Sequence, residues 1–169
     1  DIYDSFTSIS SSTINQLKKE IIERQKHILE TIQSNFSAKI LISNFPKPKN
    51  PAYGFLDSSM PNSHLSFIHN LNVSLAKLVK SFDDTYLLDI DYLSSILGVR
   101  AWTSKKMWYS AKAPLSLLAY RSLSRSIVRV VVGLTSKIKK VLLLDLDNTL
   151  WGGVLGEDGI EGISLGEGA

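Results

Sequence analysis

Apolar residues recur at helical spacing in three long parts of the chain. Between residues 13 and 35, and again between residues 65 and 78, they stand three or four positions apart or at multiples of that spacing. Such a stripe is typical of an amphipathic helix that buries one face. We therefore predict two helices there and a third over 115–134, ending at Gly133. The stripe residues are Ile14, Leu17, Ile21, Ile28 and Ile32 in the first helix, and Leu65, Ile68, Leu71, Leu75 and Leu78 in the second.

Short apolar runs between these helices predict strands. They are 38-AKILISNF-45, 85-TYLLDID-91 and 140-KVLLLDLD-147, and prolines force an extended loop after the first. A short helix over 92–98, closed by Gly98, and an irregular segment over 99–114 complete the pattern. Strands that alternate with helices indicate βαβ crossovers and a parallel sheet buried on both faces. The sequence thus predicts an α/β fold, a three-layer α/β/α architecture with a parallel sheet.

Composition narrows the class of protein. The 169 residues are 44% hydrophobic and 21% charged, which suits one globular domain or one domain with part of another. No apolar run reaches membrane-spanning length and no basic-then-apolar leader opens the chain, so we expect no membrane partner. The lack of cysteine excludes a disulfide scaffold and a thiolate metal site, and it fits a cytoplasmic protein. The net charge is +3, and the lysine and arginine residues are scattered along the sequence. This favours a solvated surface over nucleic-acid binding.

The residues with the clearest chemistry stand in 141-VLLLDLDNTLWGGVLGEDG-159. Asp145 and Asp147 follow an apolar run, and the carboxyl ends of parallel strands are where sites gather. Two neighbouring carboxylates repel each other unless a cation lies between them, and Mg²⁺ prefers such oxygen ligands. An aspartate can also act as a nucleophile. The glycines that follow permit a sharp turn, and 157-EDG-159 predicts a hairpin tip.

These residues carry a resemblance to a known family. The run Asp145-Leu146-Asp147-Asn148-Thr149 resembles the first motif, DxDxT, of the haloacid dehalogenase (HAD) superfamily, and LDLDNTLWGGVLGEDGIEGISLG resembles its FkbH-like branch. Upstream, 54-GFLD-57, 67-FIHNLNVSLAKL-78, 86-YLLDIDYLSSILG-98 and 107-MWYSAKAPLS-116 resemble the SGNH-hydrolase-like domain that precedes the HAD domain in FkbH-like proteins. The resemblance implies the C-terminal portion of that domain over 1–136 and the start of a HAD domain over 137–169.

The resemblance also implies residue roles. Asp145 matches the phosphoryl-accepting nucleophile and a Mg²⁺ ligand, and Asp147 matches the general acid/base, whose backbone carbonyl is the usual second protein ligand of the metal. Thr149 matches the position that braces the loop, and we predict Thr149 and Lys112 as cofactor-binding residues. Residues 150–156 match a flexible turn, and about 154–163 match a hairpin flap that gates the site.

FkbH-like proteins are similar to enzymes that take a glyceryl unit from 1,3-bisphosphoglycerate and place it on an acyl carrier protein, for polyketide-type biosynthesis. We therefore expect a phosphorylated three-carbon acid and an acyl carrier protein as partners. Lys112, isolated among aromatic residues, is expected to touch an anionic group such as the carrier's phosphopantetheine arm. Two alternatives stay open: a non-catalytic SGNH-like module that binds a carrier protein, and a HAD phosphatase of small metabolites.

The family pattern also contains parts that this sequence lacks. A HAD site needs a Ser or Thr, a Lys and a late acidic pair after the flap, and we expect these beyond Ala169. The first residue is not Met, so we interpret the chain as an internal fragment, inactive by itself, of an enzyme. The SGNH fold's early serine block is expected before residue 1, and its closing Asp-x-x-His is not present. Esterase activity of this chain is therefore not expected.

Other polar and aromatic residues are expected to have structural roles. The histidines are interpreted as surface or helix-capping residues: His27, His64 and His69. Asp89 and Asp91 form a second DxD without a glycine-rich turn, and Asp91 is expected to cap the short helix that follows. Hydrophobic packing under a long loop is the favoured interpretation of Trp102, Trp108 and Tyr109, over a stacking platform.

Overall fold

The computed structural model describes residues 10–136, 141 and 143–166. Its contacts divide the chain into two compact units, Asp1–Val130 and Val131–Ala169. The domain boundary that we predict after residue 136 is not tested by this division and stays a prediction. Among the described helices, none has both the length and the apolar character needed to cross a membrane.

The predicted helices form, with small shifts at their ends. In chain order the elements are α1 (Ser11–Asn35), β1 (Ile40–Ser43), a 3-10 helix (Gly54–Ser59), α2 (His64–Val79), β2 (Thr85–Leu88), α3 (Ile90–Leu97), α4 (Val99–Trp102), α5 (Lys105–Ala111), α6 (Leu117–Thr135) and α7 (Leu155–Gly162). Two expectations about the region from residue 99 to the end of α6 were wrong. The segment 99–114 is largely helical, and Gly133 lies inside α6 instead of ending it. A glycine inside a helix costs only about 1 kcal/mol, so its neighbours continue the helix through it.

The two strands pair in parallel, and α2 connects them. The register runs from Ile40 opposite Thr85 to Ser43 opposite Leu88. Parallel strands need a crossover connection, and here α2 supplies it and contacts β2. The predicted α/β class with a parallel sheet is confirmed.

The third predicted strand, 140–147, is not formed by the residues that are described. Val141 and residues 143–146 belong to no strand, and Asp147 makes only an isolated bridge to Trp151. Lys140 and Leu142 lie outside the described residues. A strand exists only beside a hydrogen-bonded neighbour. Here the Leu146 carbonyl instead accepts bonds from the next turn of chain, including the Leu150 N–H at 2.9 Å.

Polar side chains cap the starts of four helices. Ser10 accepts from the Thr13 N–H, Ser63 from Ser66, and Ser104 from Met107. These bonds satisfy N–H groups that have no partner inside the helix. Asp89, and not Asp91 as expected, caps α3 by accepting from the Tyr92 N–H at 2.9 Å.

The apolar core of the first unit lies between α1 and α2. Ile14 packs with Phe67 and Leu71, and partly buried Phe45 and Ile68 pack against them. The buried stripe of α2 continues every four residues from Phe67 through Leu71 to Leu75 and Val79. This stripe is rotated relative to the predicted one, which shares only Leu71 and Leu75 with it. The apolar face of α2 is wider than the part of it that contacts α1. The spacing of apolar residues in the sequence cannot show which side of that face is buried.

In the second unit, the segments just before and just after α7 are joined by backbone hydrogen bonds. The Gly152 and Ser164 backbones exchange two hydrogen bonds of 2.8 Å, so the chain between them leaves and returns at one point. The predicted hairpin tip at 157-EDG-159 is wrong, because these residues lie in α7. The Asp158 side chain accepts from the Val154 N–H at 2.7 Å and starts a helical turn, and Gly159 kinks it with a φ of 66°.

Candidate functional site

The DxDxT motif forms a tight loop in which Asp147 is the best-held side chain. Its Oδ1 accepts a hydrogen bond from the Trp151 indole Nε1–H at 3.0 Å and from the Leu155 backbone N–H at 3.1 Å. Oδ2 of Asp147 accepts none from the residues that the structure describes. Asp145 and Thr149 are exposed, while Asp147 is half-buried. One oxygen of Asp147 is therefore fixed and the other is available to carry a proton.

The turn after the motif depends on two glycines. A Cβ on Gly152 would stand 2.6 Å from the Ser164 Oγ, and Gly153 has a φ of 99°, which side chains disfavour. Asn148, with a φ of 53°, accepts from the Gly153 N–H through its Oδ1 at 3.0 Å. Asparagine tolerates this left-handed conformation better than most residues. These contacts bring the Leu155 N–H to Asp147, eight residues earlier in the chain.

The oxygen atoms of the two aspartates suit Mg²⁺, which takes hard oxygen ligands and usually keeps several waters. Asp145 and Asp147 would be the ligands from this loop. Within residues 10–136, 141 and 143–166, no group of three or more His, Cys, Asp or Glu residues could hold a metal ion. The described residues thus fit part of a magnesium site, with the Asp145 carboxylate and the Asp147 backbone carbonyl as its oxygen ligands.

Trp151 is a residue that the sequence analysis missed. Its indole N–H is a donor only, and a buried or half-buried indole usually finds an acceptor. Trp151 follows Asp147 by four positions, a spacing at which side chains meet on one turn of a helical path. That spacing was the available signal, but nothing in the sequence showed that the chain turns helically there.

A second polar site lies in the first unit, as a groove of about 560 Å³. Three lysines and two exposed aromatic residues line it, and no Asp or Glu does. The lining residues are Pro46, Lys47, Pro48, Lys49, Asn50, His64, Thr103, Ser104, Lys105, Trp108, Tyr109 and Pro114. The sequence analysis singled out the aromatic pair but none of these lysines, because they come from segments that are far apart in sequence.

Lys112, the lysine that the sequence analysis chose, is not among the lining residues. It ends α5 in the left-handed conformation, and its ammonium lies 5.5 Å from the centre of the Trp108 ring. This is the range of a cation–π contact. The prediction that Lys112 touches an anionic group is not tested by this contact and stays a prediction.

The three aromatic residues near the groove separate into two environments. Trp102 is only 1% exposed, so the packing interpretation is confirmed for it. Trp108 and Tyr109 are 47% and 76% exposed, so that interpretation is wrong for these two. Both residues lie in α5, and this helix leaves their side chains exposed. A long irregular loop was expected to cover them.

The second DxD has the structural role that was expected. Asp89 caps α3 and accepts from the Asn44 side-chain amide at 2.8 Å. Asp91 accepts from the Lys47 backbone N–H at 3.0 Å, and its other oxygen lies 3.5 Å from the Lys47 ammonium. Asn44, which is buried at the end of β1, also accepts from the Asp91 N–H at 3.1 Å. The network ties the loop after β1 to the start of α3.

His64 opens α2, while His27 and His69 are exposed. Burial lowers the pKa of His64 from its ordinary value of 6.5, and the negative charge of Asp57 opposes this in part. Asp57 is fully buried, and its two oxygens accept from the Tyr53 and Leu65 backbone N–H groups at 3.2 and 2.8 Å.

The lowered pKa of His64 predicts that acid destabilises the fold. Well above pH 6.5 the imidazole is neutral in both states, and as the pH falls through about 6.5 the unfolded chain takes up the proton first. The free energy of unfolding should therefore fall as the pH drops through about 6.5, the pKa of the imidazole in the unfolded chain, measured by urea titration at each pH. His64→Gln should remove part of that fall, whereas His69→Gln should keep all of it. An equal fall in both variants would contradict the role of His64.

Comparisons with known proteins add the following. The sequence model of a family described as FkbH, N-terminal domain, matches residues 1–132. No curated protein matches the chain. A similar solved structure is the crystal structure of the N-terminal part of a Bacteroides fragilis protein containing a phosphatase domain, complexed with Mg. The identity is 23%, the TM-score is 0.68, and the match covers 98% of this chain and 43% of that one. At this identity the likeness shows the fold alone, and the chain spans less than half of that structure's length.

Proposed function

The chain belongs to the family of FkbH N-terminal domains, and from this premise we propose that it is part of a Mg²⁺-dependent, HAD-type enzyme. The proposed enzyme loads a glyceryl unit from 1,3-bisphosphoglycerate onto an acyl carrier protein, in the cytoplasm, for polyketide-type biosynthesis. The family match ends before the DxDxT motif, so the motif itself is independent support. The solved structure that is similar along 98% of the chain contains a phosphatase domain and was complexed with Mg, which agrees with the proposal.

One observation carries the catalytic part of the proposal. The Asp147 carboxylate, two residues after exposed Asp145, is held on one oxygen by the Trp151 indole and the Leu155 N–H. A general acid/base has to be positioned, and it needs one oxygen that can gain and lose a proton. A nucleophilic carboxylate has to be accessible to the substrate. Asp147 fits the first requirement and Asp145 fits the second.

The proposed reaction removes both phosphates of 1,3-bisphosphoglycerate. The carrier's thiol attacks the acyl carbon, the C–O bond to phosphate breaks, and the thiol's proton leaves with that phosphate as the thioester forms. A carboxylate oxygen of Asp145 attacks the other phosphorus, and its bond to the glyceryl oxygen breaks while Asp147 Oδ2 protonates that oxygen. Water then attacks the phosphorus of the aspartyl phosphate, Asp147 takes up a proton, and Asp145 is released with free phosphate.

When bound, Mg²⁺ would supply charge neutralisation at the transferring phosphoryl group, held in part by Asp145 and Asp147. The loop itself supplies orientation. The bonds to the Asp147 Oδ1 hold the acid in place, and the paired Gly152 and Ser164 backbones bring α7 back to the motif. In the proposal the segment around α7 acts as the gating flap, in helical form and not as the hairpin expected from the sequence.

The test uses the full-length protein that contains this chain. It is mixed with Mg²⁺, 1,3-bisphosphoglycerate and a phosphopantetheinylated carrier protein, and the carrier's intact mass is recorded. A mass gain equal to one glyceryl unit is the expected result. Release of phosphate without that gain would contradict carrier loading and indicate a phosphatase of small metabolites. With neither gain nor release, the catalytic proposal fails, and a non-catalytic carrier-binding module becomes the better account.

A further inference from the structure

We propose that the groove of about 560 Å³ in the first unit binds an organic phosphate. Lys47, Lys49 and Lys105 would bind the phosphate group, and Trp108 and Tyr109 would contact the organic part. The proposal uses no residue of the DxDxT motif, so it does not depend on the function proposed above. For brevity we call this site the lysine groove, defined by these five residues.

The charge of the lysine groove is the first argument. Two loop lysines and the lysine that begins α5 line the groove, and none of the lining residues is acidic. Only Lys47 is balanced, by Asp91 at 3.5 Å; Lys49 and Lys105 form no ion pair with a described residue. Cations gathered in one concavity raise the local concentration of anions. Lysine ammonium groups bind phosphate as point charges, and a group with a double negative charge suits several of them.

The aromatic wall is the second argument, and it indicates an organic ligand instead of a bare ion. Trp108 and Tyr109 keep 47% and 76% of their surface exposed beside the lysines, and prolines 46, 48 and 114 extend the apolar surface. Small-molecule sites are mostly apolar concavities of about 300–1,000 Å³ with a few placed polar groups. A phosphate attached to an extended or planar apolar group matches both parts of this surface.

The walls of the groove are fixed by hydrogen bonds, which is the third argument. Both backbone groups of Phe45, just before the lysine loop, bond to the Asn72 side chain at 3.0 and 2.7 Å. The Lys47 N–H bonds to Asp91. On the opposite wall, the Ser104 N–H bonds to the Pro114 carbonyl at 3.0 Å, which closes the loop that carries α5. A preformed site spends less free energy on ordering when a ligand binds.

The first test measures binding to the full-length protein by calorimetry, with phenyl phosphate as the probe. Inorganic phosphate tests the charge alone and benzyl alcohol tests the ring alone. Phenyl phosphate should bind more tightly than either. Lys105→Gln should weaken it at least about fivefold, because one charge-assisted contact is lost. Lys106→Gln, the next residue on the same helix but outside the groove, should leave the affinity unchanged. Equal loss in both lysine variants would overturn the site.

A second variant separates the two halves of the proposal. Trp108→Leu should weaken phenyl phosphate but leave inorganic phosphate unchanged, because only the organic part contacts the ring. If Trp108→Leu weakens the binding of both phosphates, or of neither, Trp108 does not contact the organic part of the ligand. The altered side chains are exposed, so far-ultraviolet circular dichroism should show intact folding.

A free organic phosphate offers a phosphomonoester and a phosphopantetheine arm attached to a protein offers a phosphodiester with one charge, and a third arm of the test distinguishes these two sources of phosphate. If a phosphopantetheinylated carrier protein binds and its unmodified form does not, and Lys105→Gln abolishes the difference, the ligand is the attached arm. If free phosphopantetheine binds and the carrier does not, the ligand is a free metabolite. Both results support the groove. The proposal is overturned if the protein binds none of the three: phenyl phosphate, free phosphopantetheine and the phosphopantetheinylated carrier. Since no turnover is measured, failure of the catalytic proposal would not alter these outcomes.

Discussion

Asp145→Asn is expected to reduce formation of the glyceryl-loaded carrier by the full-length protein at least about a thousandfold, because an amide oxygen cannot attack phosphorus as a carboxylate does and the second phosphate stays on the acyl unit. The substitution keeps the shape of an exposed side chain, so folding should not change. The carrier would gain the mass of a phosphoglyceryl unit at times when the unchanged protein gives only the glyceryl unit. A phosphorylated form of the protein should also disappear, since Asp145 is the proposed acceptor.

Glu23→Gln is the matched control for that experiment. It also removes one exposed carboxylate, and it lies in helix α1, outside the motif and the proposed flap. Its loading rate should stay within about twofold of the unchanged protein, since exposed substitutions away from special contacts have small effects. A rate of glyceryl-carrier formation by Asp145→Asn within tenfold of the control would contradict its role as nucleophile.

The largest expected effect on stability comes from the core between α1 and α2. Leu71 is 1% exposed and packs with Ile14 and Phe67. Leu71→Ala should lower the free energy of unfolding by about 2–5 kcal/mol, from lost transfer free energy and the cavity that remains. Typical domains are stable by only about 5–15 kcal/mol, so the midpoint of urea unfolding should move far to lower concentration.

Leu17→Ala is the corresponding control, since it removes the same atoms from a residue of α1 that is 38% exposed. Part of its surface already faces water, so the loss should be less than half of that for Leu71→Ala. Similar losses in both variants would mean that Leu71 is not a centre of the core. A loss below about 1 kcal/mol for Leu71→Ala would have the same meaning.

The candidate catalytic site could be predicted from sequence only as far as residue types and spacing reach. Asp145 and Asp147 stand out because two carboxylates follow an apolar run, and the glycines that let the chain turn are visible beside them. The donors to Asp147 were not predictable. Leu155 contributes a backbone N–H, which every non-proline residue has, and its approach depends on a loop closed between Gly152 and Ser164.

The lysine groove shows the same limit more strongly. Lys47 and Lys49 stand in a proline-rich loop, and Lys105 follows more than fifty positions later. Nothing in the local sequence of either segment indicates the other. The scattered charge was therefore interpreted as a solvated surface, and Lys112 was singled out because it stands among aromatic residues in sequence. The structure places three other lysines around the exposed side of Trp108 and Tyr109.

The sequence by itself determined the helices α1, α2, α3 and α6, the two strands and their parallel α/β class, because the spacing of apolar residues and the cost of unpaired backbone groups act locally. It also determined which residue types are available for chemistry. Only the tertiary structure decided which edge of α2 is buried, that residues 143–146 form no strand, and that 157-EDG-159 is helical. Those outcomes depend on partners brought together by the fold: a second helix, a neighbouring strand or a returning backbone. A local pattern shows what a segment can bury or bond, and the position of the partner decides what it does.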